Sequence, residues 1–356
     1  MRRFFVSNKG RCSPVGSVFR GCLFILLCIL ICGCDGAGQS GSEDVKANTP
    51  VPVSLQLQWV TQCQFAGFFV ALDKGWYRDE NIDLTIHPGG PDVVPVDLVT
   101  SGTRDFGTTL LGDLAVSIGK GRPAVGIAQI QQDNGLRLLA RAVSGIRAPK
   151  DFIGKKIGVW LGGWEVQFNA LLTLEKIRQG QVTVISQGFS MNPFLEGRLD
   201  VASAMIYNEY NMVLAQGIPK ADLVVIDFSD YGLGFPGDVL FTSWDMVREN
   251  PALCRRMAAV SLRGWQYAVD HQDEAVAIVL KHDRSGVAKE DHQKKMMSEI
   301  ARLVMGEQPL GQISRGTIDR MVDMLVRQQV MDKRISSDEV FIHRFLPPQD
   351  EGDKGE

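Results

Sequence analysis

Four short stretches carry side chains able to hold a small molecule. Trp59 is followed by Gln62, Gln64 and Phe65. An aromatic face beside two amides, which both donate and accept, suits an aminopyrimidine or similar heterocycle. The alternative puts Trp59 in the core and the glutamines on the surface. Gly162 and Gly163 precede Trp164 and Glu165. Two residues without side chains let backbone N–H groups approach a ligand at a helix start, or they form only a tight turn. Glu165 then falls in the first turn of a helix, where a carboxylate complements the dipole. Tyr207, Asn208 and Glu209 directly follow an apolar strand-like run, the place where cleft residues belong. Asp113 lies early in another helix and either faces the cleft or serves the helix N-terminus.

The same inventory offers little for catalysis. The five histidines (His87, His271, His282, His292, His343) are scattered and read as solvated surface groups, with no His-x-x-x-His pair. Four of the seven cysteines lie before residue 33, and no CxxC metal pattern occurs. Cys63 and Cys254 read as two free thiols, although spacing leaves open a bridge between them outside the cytoplasm. The N-terminus has five basic residues and no acidic one before Asp35, then an apolar run from Cys22 to Cys32. That run is well below the roughly 20 residues that span a bilayer. With Gly33-Cys34 closing it, the segment reads as a secretory signal. Leu30-Ile-Cys-Gly-Cys34 resembles the bacterial lipobox, which predicts cleavage before Cys34 and lipid on that cysteine. Asp35, next in line, resembles the signal that retains lipoproteins on the inner membrane, so the expected location is its periplasmic face. Residues 34–51 are polar and glycine-rich, the composition of a flexible tether. Without residues 1–33 the chain has 33 Lys+Arg against 41 Asp+Glu, a net charge of -8. This argues against a nucleic-acid partner.

The elements that must position these residues alternate in type. Strand patterns cover residues 53–59, 82–86, 105–108 and 124–129, with helical patterns at 65–75, 93–100 and 110–118 between them. The pattern restarts near Ile153 with strands at 157–160, 181–186, 201–206 and 223–227. The stretch 231–237 is glycine-rich, and residues 245–332 read as almost wholly helical. Such βα alternation predicts mainly parallel sheets flanked by helices, as two lobes facing across a cleft.

Several stretches, in order, carry a family resemblance. They are Leu57-Gln-Trp-Val-Thr-Gln-Cys-Gln-Phe-Ala-Gly-Phe-Phe-Val-Ala71, Lys74-Gly-Trp-Tyr77, Pro88-Gly-Gly-Pro91, Gly158-Val-Trp-Leu-Gly-Gly-Trp-Glu165, Gln187-Gly-Phe189, Met191-Asn-Pro193 and Ala204-Met-Ile-Tyr-Asn-Glu209. From about Val53 to Arg327 the chain resembles the SsuA/THI5-like (NMT1) periplasmic binding proteins, and most of all their thiamine-pyrimidine-binding branch. The resemblance implies an α/β, two-lobed periplasmic-binding-protein fold of type II. Lobe 1 would take residues 52–142 plus 238–345 and lobe 2 residues 143–237, with hinges near 143–150 and 228–238 and a tail at 346–356. It implies a monomer without a cofactor that presents a thiamine pyrimidine precursor to the permease of an ABC importer. Sulfonate or nitrate-type anions and riboflavin precursors are the alternative ligands. It also implies that Glu165 accepts from a ligand amino group, an arrangement that would repel an anion. Related proteins usually have Asn where Trp164 stands, which exchanges an amide for a stacking surface. The family also contains a pyrimidine synthase that uses pyridoxal phosphate and iron. Its lysine would fall at Thr109, its histidine at Asp113 and its cysteine-rich segment near 232–237, where this chain has no cysteine. A Schiff base needs an amine and the iron site needs soft ligands, so the expectation is a binder and not an enzyme.

Overall fold

A computed structural model describes residues 49–346, apart from 162 and 163. The signal, Cys34, most of the tether and the tail beyond Leu346 lie outside the described residues, as do Gly162 and Gly163. Among the described residues no helix is long and apolar enough to cross a membrane.

The first part of the chain lays down β1 (Val51–Gln56), α1 (Ala66–Asp73), α2 (Trp76–Asp79), β2 (Ile82–His87), α3 (Pro95–Thr100), β3 (Phe106–Leu110), α4 (Leu111–Gly119) and β4 (Ala124–Gln129). The second part holds β5 (Leu136–Arg141), β6 (Lys156–Val159), α5 (Val166–Leu174), β7 (Thr183–Ser186), α6 (Asn192–Leu195), β8 (Val201–Met205), α7 (Glu209–Ala215) and β9 (Leu223–Asp227). The chain then returns with β10 (Asp238–Ser243) and the helices α8 (Trp244–Glu249), α9 (Pro251–Asp270), α10 (Gln272–His282), α11 (Glu290–Val304), α12 (Arg315–Arg327) and α13 (Ser337–Val340).

Two five-stranded sheets result, in the orders β2-β1-β3-β10-β4 and β7-β6-β8-β5-β9. In the first, β1 runs parallel to β2 and β3, while β10 is antiparallel to β3 and β4. In the second, β6 is parallel to β7 and β8, and β5 is antiparallel to β8 and β9. Both sheets are therefore mixed, where parallel pairing was expected to dominate. In each, the fourth strand in order is the one that arrives from the other lobe, and it enters against its neighbours.

This exchange corrects the expected lobe boundary. The strand at Leu136–Arg141 belongs to the second sheet, so the chain first crosses at residues 130–135, ahead of the 143–150 hinge read from the sequence. The chain returns from β9 to β10 through residues 228–237. The first sheet also gains β10, from residues 238–243, to which no element was assigned between the glycine-rich stretch 231–237 and the helical region from 245. Both missed strands are six residues long, and a short apolar run does not reveal which sheet it enters. The two crossings bond to each other, Ile130 and Gln131 N–H donating to the Asp238 carbonyl at 2.9 and 3.1 Å and Gly237 N–H to the Gln131 carbonyl at 3.1 Å. A side chain at Gly237 would place Cβ 2.7 Å from the Asp133 carbonyl oxygen, so the pairing requires glycine.

The long C-terminal helices back the first lobe. Helix α9 crosses α1 at two glycines: a Cβ on Gly264 would stand 2.1 Å from the Gly67 carbonyl oxygen, and one on Gly67 2.3 Å from Trp265 Cγ. Because α1 follows directly on the loop at 57–65, this close crossing also sets the position of that loop.

Candidate functional site

The loop after β1 turns into the space between the lobes. Gln58 N–H donates to Thr108 Oγ1 at 3.1 Å, and Gly89 N–H donates to the Trp59 carbonyl at 2.8 Å. The approach at Gly89 is tight enough that a Cβ there would lie 2.2 Å from the Leu57 carbonyl oxygen. Thus held, Trp59 meets three rings of the second lobe. Its centroid lies 5.8 Å from that of Trp160, 5.2 Å from Trp164 and 4.9 Å from Phe189, all tilted or edge-on. Such geometries are the favoured ones for aromatic pairs. Trp59 is 4% exposed and belongs to the main hydrophobic core, with these rings of the second lobe packed against it.

Beside the rings runs a chain of amides. Gln62 Nε2 donates to Gln64 Oε1 at 2.8 Å, and Gln64 Nε2 donates to Asp238 Oδ2 at 2.9 Å. Gln58 Nε2 donates to Asp238 Oδ1 at 2.7 Å. Asp238 is thus bracketed by two amides at the first residue of β10. Burial pushes its carboxyl up to about 7 against the opposing effect of those two hydrogen bonds. On the second lobe, Glu209 opens α7. Its Oε2 accepts from Met205 N–H at 3.0 Å and its Oε1 from Asn208 Nδ2 at 2.7 Å. Burial again pushes the carboxyl up to about 7, with the same bonds pulling it down. Burial also raises the Tyr207 hydroxyl well above its ordinary value. Asn208 Oδ1 reaches across to His292 Nε2 on α11 at 2.8 Å. Burial, then Lys295, lowers the pKa of that imidazole.

These groups enclose a cavity of about 10 Å³, lined by Trp59, Gln62, Gln64, Trp160, Trp164, Met205, Tyr207, Asn208 and Glu209. That volume is at the lower limit for a single water, so the lobes are closed onto their own side chains. A second inter-lobe cavity, about 250 Å³ in volume, holds Asp113 and Glu165. Asp113 is 5% exposed and its Oδ2 has no hydrogen-bond partner. Burial first, then Glu165 and Asp238, raise its pKa well above the usual carboxylate range.

The structure therefore brings together Trp59, Gln62, Gln64, Trp164, Tyr207, Asn208 and Glu209, and places Asp113 and Glu165 in the adjoining space. Glu165 precedes the first turn of α5 as its N-cap residue. Phe65 is a correction: it is fully buried in the core and lines neither cavity, because the short helical turn Cys63–Phe65 points it inward. His292, read from the sequence as a surface group, bridges the lobes. Trp160, Phe189, Met205 and Asp238 were not among the expected site residues. For Asp238 the only sequence signal is a carboxylate between the glycine-rich run and the apolar Val239-Leu-Phe241. The two thiols, Cys63 and Cys254, are both free and buried.

Two lobes joined by paired crossings, with side chains of both meeting in the cleft, define a binding-protein architecture. The chain belongs to the NMT1/THI5-like family, whose profile matches residues 62–275. It is 24% identical over 248 residues to the formylaminopyrimidine-binding protein of Halalkalibacterium halodurans, covering 68% of this chain and 72% of that protein. It is 25% identical over 274 residues to the riboflavin-binding protein RibY of Chloroflexus aurantiacus, covering 73% and 76%. A 4-amino-5-hydroxymethyl-2-methylpyrimidine phosphate synthase of Legionella pneumophila is 33% identical over 107 residues, 30% of this chain and 34% of that enzyme. The periplasmic aliphatic sulphonate binding protein SsuA of Escherichia coli shares the fold with a TM-score of 0.61 at 14% identity, covering 86% of this chain and 96% of that one. The fold is that of the periplasmic binding proteins.

Proposed function

We propose that this protein is the solute-binding component of an ABC importer and that it captures a small nitrogen heterocycle, a thiamine pyrimidine precursor first. The observation that carries the reading is the tryptophan cavity. It combines stacking faces from both lobes with the Gln62 and Gln64 amides and the Glu209 carboxyl, a set suited to a flat ring bearing amino groups. Opening of the lobes at 130–135 and 228–237 admits the ring, and closure buries it for presentation to the permease. The similarity to a formylaminopyrimidine-binding protein supports this ligand class.

Binding is favoured over catalysis by the residues themselves. Thr109 stands where the related synthase would need an amine, and Asp113 where it would need a consumable histidine. A sulfonate or nitrate is disfavoured because Glu209, Asp113 and Glu165 surround the cleft with carboxyls. A riboflavin-type ligand is the second reading, favoured by the four-ring aromatic cluster and the likeness to RibY. We propose further that lipid on Cys34 tethers the domain at the periplasmic face of the inner membrane. Such a tether raises the effective concentration of the binding domain at the transporter.

A thermal-shift screen of the purified protein against aminopyrimidines, riboflavin precursors and alkanesulfonates tests the ligand. A true ligand at about 100 times its dissociation constant adds roughly 2.7 kcal/mol of stability. Stabilisation by a sulfonate and by no heterocycle would refute the reading. Mass spectrometry of the mature N-terminus tests the anchor, and an unmodified Cys34 would remove it without touching the ligand proposal.

A further inference from the structure

The larger inter-lobe cavity differs from the tryptophan cavity in chemistry. Around its roughly 250 Å³ stand Asp113, Ser117 and Lys120 from the α4 region and Glu165, Asn169 and Thr173 from the α5 region. One carboxyl comes from each lobe. Asp113 is almost wholly buried, and its Oδ2 accepts no hydrogen bond. A buried acceptor without a partner costs free energy. Lobe closure adds a second cost by bringing like-signed groups into one poorly solvated space. A cation between Asp113 and Glu165 would offset both. Lys120 borders the same cavity but lies seven residues beyond Asp113, about 10 Å along the helix axis.

We propose that this cavity takes the positively charged end of the bound solute, an ammonium or protonated ring nitrogen held between Asp113 and Glu165, so that the protein prefers cationic heterocycles to neutral ones. The proposal rests on the heterocycle reading above and adds a charge to it. The acidic groups acting on Asp113 are Glu165 from the start of α5 and Asp238 from β10. Lys120 is the basic group in the cavity, and the segment after α12 contributes the neutral Gln328 and Gln329. Burial and those two carboxyls disfavour the ionised form of Asp113, whereas a cation bound beside it favours that form. Affinity for a cation therefore rises with pH, whereas affinity for a neutral ring does not.

Calorimetry of the purified protein with two probes tests this: 4-amino-5-aminomethyl-2-methylpyrimidine, a cation at neutral pH, and its neutral N-formyl derivative. The cationic probe is expected to bind at least about tenfold more tightly, a difference of one decade in Kd. Asp113→Asn is expected to shrink that preference to less than about threefold. Equal or tighter binding of the N-formyl probe, or a preference that survives Asp113→Asn, overturns the proposal. If neither probe binds, the aminopyrimidine reading falls, and the ligand-free protein decides the charge question. Above neutral pH, Asp113→Asn should raise Tm by a few degrees, because it removes an uncompensated buried charge. An unchanged or lowered Tm overturns the cation subsite whatever the probes do.

Discussion

The two lobes carry the same strand order but are built to different strengths. In the first, Trp59 and the amide chain sit on a loop fixed by the glycine-to-glycine crossing of α1 and α9, with α10–α12 behind it. In the second, the edge strand β7 is exposed along its whole length, and Phe189 stands 50% exposed. A satellite core of only eight buried residues, among them Leu139, Phe194 and Val213, supports its far side. We infer from this contrast that, in the proposed function, the first lobe serves as the scaffold and the second, lighter lobe as the clamp that closes over it. Binding energy spent on closure is smaller when only one partner must order itself.

The largest expected effect is on the scaffold. Gly264→Ala forces Cβ into the Gly67 carbonyl, and it should cost about 3 kcal/mol of stability in a denaturant titration. An Ala substitution at Val184 on the clamp's exposed strand should cost about 0.5 kcal/mol or less. Equal losses at the two positions would remove the distinction between the lobes.

Next in size comes the aromatic contact itself. Trp59→Ala removes the ring that meets three others, and it should weaken heterocycle binding by about 100-fold. Phe189→Ala, in the second lobe and half in solvent, should weaken it by about tenfold or less. The reverse ranking would make the second lobe the scaffold.

A third comparison uses pH. The carboxyls of Asp238 and Glu209, with ordinary values of 3.8 and 4.5, are both pushed up to about 7. The folded state therefore favours their protonated forms. Their contribution to stability is complete below the ordinary values, falls as pH rises between them and about 7, and is gone above it. Asp238→Asn in the first lobe and Glu209→Gln in the second should each flatten the decline of Tm over that interval. A slope identical to the parent's in either variant would show that the corresponding group ionises freely. A smaller effect than those on the scaffold and the aromatic contact is expected at the bridge. His292→Ala removes one hydrogen bond to Asn208, about 1 kcal/mol, and should shift the ligand-free protein toward the open form, read as a larger radius of gyration in solution scattering.

Much of the site was legible because it sits at strand ends. The run Ala202–Ile206 marks a buried strand, and whatever follows such a strand in an α/β sheet lies at the cleft; hence Tyr207, Asn208 and Glu209 could be placed. Trp59 was legible for the same reason, at the end of the alternating 53–59 run. Phe65 was misplaced because its neighbours Gln62 and Gln64 face the cleft, and only the three-residue turn shows that it faces the other way. Asp238, Phe189 and His292 were not legible as site residues. Their roles depend on contacts between segments 174, 130 and 84 residues apart (Gln64–Asp238, Trp59–Phe189, Asn208–His292), and no local pattern encodes a partner at that distance.

By itself, the sequence determined the local elements, the two-lobed α/β class and the chemical types gathered at the strand ends. These follow from hydrophobic periodicity and from the few residues that strands and turns accept. Only the tertiary structure decided where the chain crosses, at 130–135 and not at 143–150, and that each lobe completes the other's sheet with an antiparallel strand. It also decided that the expected residues divide between an aromatic cavity and a carboxyl-lined one. Strand orientation and the burial of a charge are set by what packs against them, and those neighbours come from the opposite lobe.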